Sequence, residues 1–229
     1  MSQVITIHDL SHGHTSYTKI CDKIYRVGIE LEGNFDHIPT FNGSFHTDSS
    51  VRDMDMFSFE DSQRGEFVSN KLQVSEVSEW IDICHPIQTN RSCGGHVHIS
   101  LNSLGDYMTL MTQEFYDHVL DELAIWGKKM HINENSAFWQ RINHNGIQFC
   151  YYVFDPRNQK NMRRNYMDER YSQINYAYNL DDRHTVEFRM LPCFNKKSLQ
   201  IAGTLEIIRI TQEYLENKHN IPVTLRLSI

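Results

Sequence analysis

Polar and apolar residues alternate along several short stretches of this chain, and elsewhere apolar residues recur every three or four positions. The alternation predicts strands and the longer spacing predicts helices. Ile24 to Gly33, rich in β-branched and aromatic residues and closed by Gly33-Asn34, reads as a buried strand. Arg64 to Asn70 reads as another, after the turn-prone Asp61-Ser62-Gln63. Val77, Trp80, Ile81 and Cys84 predict a helix between Leu72 and Cys84 that stops before Pro86. Gly95 to Leu101 alternates again. Leu104, Met108, Met111, Phe115, Val119, Leu123 and Trp126 predict one long helix whose apolar stripe faces the core. Beyond Gly127 the pattern is mixed, with Asn-rich loops and a strand at Gln148 to Phe154. Ser172 to Tyr178 and His184 to Met190 predict a pair of strands, and Leu199, Ala202, Leu205, Ile208 and Leu215 a final amphipathic helix.

This order lacks regular βαβ alternation, so the expected fold class is α+β with a mainly antiparallel sheet. Residues 1–20 are polar, with His8, His12 and His14, and are expected to form a flexible N-terminal arm. Residues 21–229 are expected to form a single domain, since 229 residues with 40% apolar content bury one sizeable core.

Charge narrows the partners. A formal net charge of −7 disfavours electrostatic capture of nucleic acid or of an anionic membrane. The local basic run Arg157, Lys160, Arg163, Arg164 reads as a solvated loop or, by composition, as a lid. The 5 cysteines form no CxxC pair, which fits a reducing cytoplasm. No secretory signal and no apolar run of roughly 18 residues is visible, so a soluble intracellular protein is expected.

The chemistry is concentrated on the alternating strands. In Cys93-Gly94-Gly95-His96-Val97-His98-Ile99-Ser100, His96, His98 and Ser100 share one face while Val97 and Ile99 share the other. Glu30 and Glu32 likewise share a face, as do Glu187 and Arg189. Glu66 lies in the apolar Gly65-Glu66-Phe67-Val68. Any one of these carboxylates could stand on the wet side of a half-buried strand. Together with His96 they suggest one polar sheet face built around a hard divalent cation, Mg²⁺ or Mn²⁺, completed by nucleotide phosphates. Arg189 could pair structurally with a glutamate, or receive a phosphate or carboxylate through parallel charge-assisted hydrogen bonds. Neither GxxxxGK[ST] nor a strand followed by GxGxxG occurs, so a P-loop or Rossmann nucleotide site is unsupported.

RVGIELEG, HTDSSV, RGEFVS, CGGHVHISL, ERYSQINY and HTVEFRMLP, in that order from about Arg26 to Pro192, resemble the phage and bacterial amidoligase family, a branch of the glutamine synthetase and glutamate–cysteine ligase fold. The resemblance implies a glutamine synthetase-like curved antiparallel sheet with packed helices. It further implies that Glu30 and Glu32 ligate two divalent ions, that Glu66 holds one of them, and that His96 and Glu187 hold the other. His98 would face the nucleotide phosphates, with Ser100 on the same face. Arg189 would orient the acceptor carboxylate or transferring phosphoryl group, and Arg170 with Asn175 would line the pocket. Asp48 would attract or deprotonate the amine, although Ser49 replaces the usual glycine of that motif; Asp48 could equally be an Asx-turn or cap residue.

The activity so implied is ATP- and Mg²⁺-dependent joining of a carboxylate to an amine, in a small molecule or peptide, through an acyl phosphate. It implies a cytoplasmic site of action, the host's cytoplasm for a phage protein. Three other readings stay open. A hydrolase could bind Zn²⁺ through His96, His98 and a glutamate; a module could keep the fold and metal without the activity; and phosphoryl transfer to a nitrogen acceptor would use much the same groups. Nothing in the sequence indicates the oligomeric state.

Overall fold

The computed structural model describes residues 3–9, 15–47, 63–143, 150, 172–176 and 184–219; of 3–9, 15–21 and 219 it describes the backbone alone. Among these residues the chain is α+β, built on a six-stranded antiparallel open sheet. Numbered along the chain, the strands are β1 (Gln3–Asp9), β2 (Thr15–Cys21), β3 (Ile24–Phe35), β4 (Gly43–His46), β5 (Gln63–Ser69), β6 (Gly95–Leu101), β7 (Ile174–Asn175) and β8 (Thr185–Phe188). The helices are α1 (Val77–Cys84), α2 (Leu104–Leu110), α3 (Gln113–Lys129), α4 (Ala137–Ile142) and α5 (Lys197–His219), with a 3₁₀ turn at Val74–Glu76 leading into α1. The main sheet runs β4-β5-β3-β6-β8-β7.

One face of this sheet is apolar and carries the core. Val27, Ile29 and Leu31 on β3, Val97 and Ile99 on β6, and Val186 and Phe188 on β8 are buried there. Aromatic contacts fasten helices to it: Phe67 stacks on Trp80 of α1 at 5.6 Å, and Phe188 meets Phe115 of α3 edge-on at 6.2 Å. Tyr214 of α5 also packs on Phe115, at 4.9 Å. A bulge at Tyr25 keeps the pattern intact at the strand end. The register jumps from Ile24↔Leu101 to Arg26↔Ser100, which turns Ile24 inward and leaves Tyr25 exposed.

Several elements differ from their expectation. The stripe from Leu104 to Trp126 forms two helices, because Thr112 caps the second: its Oγ1 accepts from the Phe115 N–H at 3.2 Å, and Met111 leaves helical geometry with ψ 51°. Of the strand expected over Ser172 to Tyr178, the described residues form a strand only at Ile174–Asn175, with a single bridge residue at Ser172. Residues 1–20, expected as a flexible arm, include β1 and most of β2, which pair antiparallel from Gln3↔Cys21 to Asp9↔Thr15. The strand expected at Gln148 to Phe154 lies, apart from Cys150, outside the described residues. Among the described residues no helix is long and apolar enough to cross a membrane.

Candidate metal centre

The opposite face of the sheet carries the candidate chemistry, and the strand register decides which groups meet. Directly opposed residues in antiparallel strands point the same way. Glu30 faces His96 across β3 and β6, and His98 faces Glu187 across β6 and β8. Asn175 faces Glu187 across β7 and β8, and Glu32 faces Glu66 across β3 and β5. His46 on β4 continues that last row, opposite Glu66.

Glu30 is the hub. Its Oε2 lies 3.0 Å from His96 Nδ1, and its Oε1 lies 2.9 Å from His98 Nε2. Glu187 is wholly buried; its Oε1 takes a hydrogen bond of 2.5 Å from Arg189 Nη1 and its Oε2 one of 2.9 Å from Asn175 Nδ2. That same Oε1 lies 3.7 Å from His96 Nδ1 and 4.0 Å from His98 Nε2. His96 Nδ1 thus stands between Glu30 Oε2, which as a carboxylate only accepts, and Arg189 Nη1, which only donates and lies 3.4 Å away. Glu32, also buried, takes the Gly94 backbone N–H on Oε2 at 2.6 Å, with Oε1 3.7 Å from His96 Nε2.

Charge compensation sets the protonation. Burial by itself raises the Glu30 carboxyl, but hydrogen bonds from His96 and His98, with their positive charge, hold it well below the usual carboxylate range. Burial likewise raises Glu187, and the Arg189 guanidinium, followed by the two imidazoles, outweighs it and lowers the group. Burial works to lower His98, yet its hydrogen bond to Glu30 and the charges of Glu187 and Glu30 raise it. His98 is therefore held toward its cationic form between two carboxylates.

That arrangement fits a divalent cation. Ligand atoms of Glu30, His98 and Glu187 all lie within 4.8 Å of one another. Two carboxylate donors and one imidazole form a donor set that could hold a divalent metal ion. A cation there would take over the compensation that the His98 proton provides without it. Glu32 opposite Glu66 places a second carboxylate pair one step along the same face.

The structure thus brings Glu30, Glu32, His96, His98, Glu187, Arg189 and Asn175 into one continuous cluster, with Glu66 at its edge. Ser100 shares the face one step beyond His98, where its hydroxyl meets the Thr185 hydroxyl at 2.9 Å. Asp48, Arg170 and the basic segment Arg157–Arg164 lie outside the described residues.

Three further positions shape the site, and none was among the expected site residues. Gly28 stands opposite His98, where a Cβ would sit 3.3 Å from the His98 Cβ. Its lack of a side chain lets the imidazole lie over β3 and reach Glu30; an isolated glycine in a strand pattern is the signal for such close approach. Gly94 is tighter still, since a Cβ there would lie 2.3 Å from His96 Nε2. Arg141 on α4 is buried and donates to the carbonyl of Arg189 at 3.0 Å and to that of Ser92 at 3.3 Å. With the Arg189 N–H bound to the Gln173 carbonyl at 2.8 Å, the backbone that carries Arg189 is held at both its polar groups.

No family model, no curated protein and no solved structure matches this chain.

Proposed function

We propose that this protein is a carboxylate–amine ligase that uses ATP with Mg²⁺ or Mn²⁺, on a sheet of the glutamine synthetase type. The observation that carries the reading is the gathering of Glu30, His98 and Glu187 from three adjacent strands, with ligand atoms within 4.8 Å and Arg189 hydrogen-bonded into the same cluster.

A carboxylate and an amine do not condense in water unaided, so the acid must be activated. In the proposed reaction a carboxylate oxygen attacks the γ-phosphorus of ATP, and the bond to ADP breaks. The amine nitrogen then attacks the acyl carbon, phosphate leaves with the electron pair of the broken C–O bond, and the nitrogen gives up its proton. Bound divalent cations supply neutralisation of phosphate charge during the transfer. Glu30, Glu32, Glu187 and the imidazoles would hold them, with Glu66 beside Glu32.

The chain's other residues have separable roles. Arg189 presents a guanidinium to the acceptor carboxylate or the transferring group, and its hydrogen bond to Glu187 keeps it in place. Asn175 fixes the second oxygen of Glu187. Asp48 and Arg170 are proposed to take the amine and the anionic substrate respectively. The acid and the amine are of small-molecule or peptide size, and the reaction belongs to the cytoplasm.

Incubation with ATP, Mg²⁺ and a panel of acids and amines tests the reading. Phosphate release that requires both acid and amine, with an amide detected by mass spectrometry, is the expected result. One tightly held zinc without any thermal shift from a nonhydrolysable ATP analogue would overturn it in favour of a hydrolase.

A further inference from the structure

A groove of about 500 Å³ lies away from the candidate metal centre, between the segments Thr89–Arg91, Met130–Phe138 and Pro192–Lys196. Its size is that of a small-molecule site. Its chemistry runs against that of the chain as a whole. The protein carries a formal charge of −7, yet the described residues lining this groove include Arg91, His131 and Lys196 and no Asp or Glu, the nearest carboxylate in sequence being the exposed Glu134 between the lining Asn133 and Asn135.

The neutral polar groups point to the same ligand class. Asn195 Oδ1 accepts both the hydroxyl of Thr89, at 2.6 Å, and its backbone N–H, at 3.3 Å. Asn133 Oδ1 accepts the backbone N–H of Asn135 at 2.8 Å. Asn195 Oδ1 thus has both lone pairs engaged, which leaves its NH₂ as the group to offer; Asn133 keeps one acceptor lone pair beside its NH₂ donor. Ser136 Oγ also lines it, is buried, and has no hydrogen-bond partner among the described residues. Although Ser136 is the N-cap of α4, its hydroxyl makes no capping bond.

His131 adds an independent signal. It closes α3 in the left-handed region, φ 51°, with its N–H on the Lys128 carbonyl and the Ile132 N–H on the Gly127 carbonyl, each at 3.0 Å. Glycine is the residue that meets this requirement without strain. A histidine there places an imidazole at the groove against the backbone's own preference. The accessible apolar surface comes from the half-buried Met130, Ile132 and Leu199, while the lining rings of Phe138 and Phe194, 6.1 Å apart, are themselves buried in the core.

We propose that this groove binds a small aromatic or apolar carboxylate, its anionic end received by Arg91, His131 and Lys196 and its body laid against Met130, Ile132 and Leu199. A carboxylate only accepts hydrogen bonds, which matches the three cationic side chains and the Asn195 amide NH₂. The neutral amide of the same molecule replaces an acceptor oxygen with a further donor and is refused.

N-acetyl-L-phenylalanine, anionic at neutral pH, and N-acetyl-L-phenylalaninamide are the probes, titrated into the full chain by ¹⁵N NMR in EDTA without nucleotide. The absence of metal and ATP makes the outcome independent of the ligase reading. The anion is expected to shift Arg91, His131 and Asn195 resonances saturably while the amide does not. R91Q/K196Q should weaken binding about tenfold or more. H131G should weaken binding and raise Tm, because it removes a ligand contact and the backbone strain together. Equal response to the amide, no saturable shift, or unchanged affinity in R91Q/K196Q overturns the proposal. Unchanged binding with a lower Tm in H131G overturns the role given to His131.

Discussion

His98 stands directly opposite Glu187 across β6 and β8, yet its Nε2 lies closer to Glu30 on the other flanking strand, 2.9 Å against 4.0 Å from Glu187. The vacant position at Gly28 allows this lean. One imidazole thereby joins two carboxylates whose strands do not touch.

Glu187 and Phe188 are neighbours on opposite faces, so substituting each should give opposite phenotypes. Glu187→Gln is expected to abolish Mn²⁺ binding measured by calorimetry and to lower ligation by about 10²-fold or more. Phe188→Ala leaves the metal face intact and is expected to cost about 3–5 kcal/mol of stability by cavity formation, read from urea midpoints. Metal loss in the second variant and not the first would reverse the facial assignment.

Stability of the metal-free protein should depend on pH in a definite direction. His98 is raised in the folded state, so its contribution is complete below its ordinary value of 6.5 and is lost as pH rises through the folded value. Glu30 and Glu187 are lowered, so theirs is complete above 4.5 and is lost as pH falls through the folded values. Thermal melts in EDTA should therefore peak between these limits. The Mg²⁺-induced gain in Tm should grow as pH rises from about 6 to about 8, because metal and proton compete for one site. A gain that shrinks over this range would contradict the assignment of His98.

Gly28→Val should disturb the site without disturbing the core, since the added atoms enter the polar face. A Cβ alone already approaches His98 at 3.3 Å, and the branched side chain leaves the imidazole no room over β3. The expected result is a Mn²⁺ affinity reduced about 10–100-fold with a far-ultraviolet spectrum unchanged. Gly28→Ala, at the edge of ordinary contact, should lie between the two.

Arg141→Met removes the donor from the Arg189 and Ser92 carbonyls while keeping much of the buried volume. Loss of these hydrogen bonds is expected to cost about 1–3 kcal/mol in urea unfolding. Because the tether positions Arg189, Arg141→Lys should raise KM for the carboxylate of the proposed reaction several-fold while its unfolding midpoint stays close to that of the unaltered chain. An unchanged KM would leave Arg141 a purely structural brace.

Local pattern made much of the fold legible. Strand β3, the core of β6 and helix α1 lie close to where alternation and three-four spacing put them, because each element's burial is written at its own period. The break at Thr112 was hidden, since Met111 and Phe115 continue an apolar stripe through a cap that only hydrogen-bond geometry exposes. Pairing between Gln3–Asp9 and Thr15–Cys21 was missed although a signal for it exists: Val4-Ile5-Thr6-Ile7 is a β-branched run, and the polar residues around it, with His8, His12 and His14, drew the reading toward a loose arm.

By itself the sequence determined which groups share a face within one strand: Glu30 with Glu32, His96 with His98, Glu187 with Arg189. Side-chain alternation is a property of the local backbone and needs no partner. Only the tertiary structure decided that β6 lies between β3 and β8 and in which register, and so that His98 joins Glu30 to Glu187 while His96 reaches toward Glu32. Register comes from burying Val97, Ile99 and Val186 against helices far along the chain, and that choice is made across the whole sheet at once.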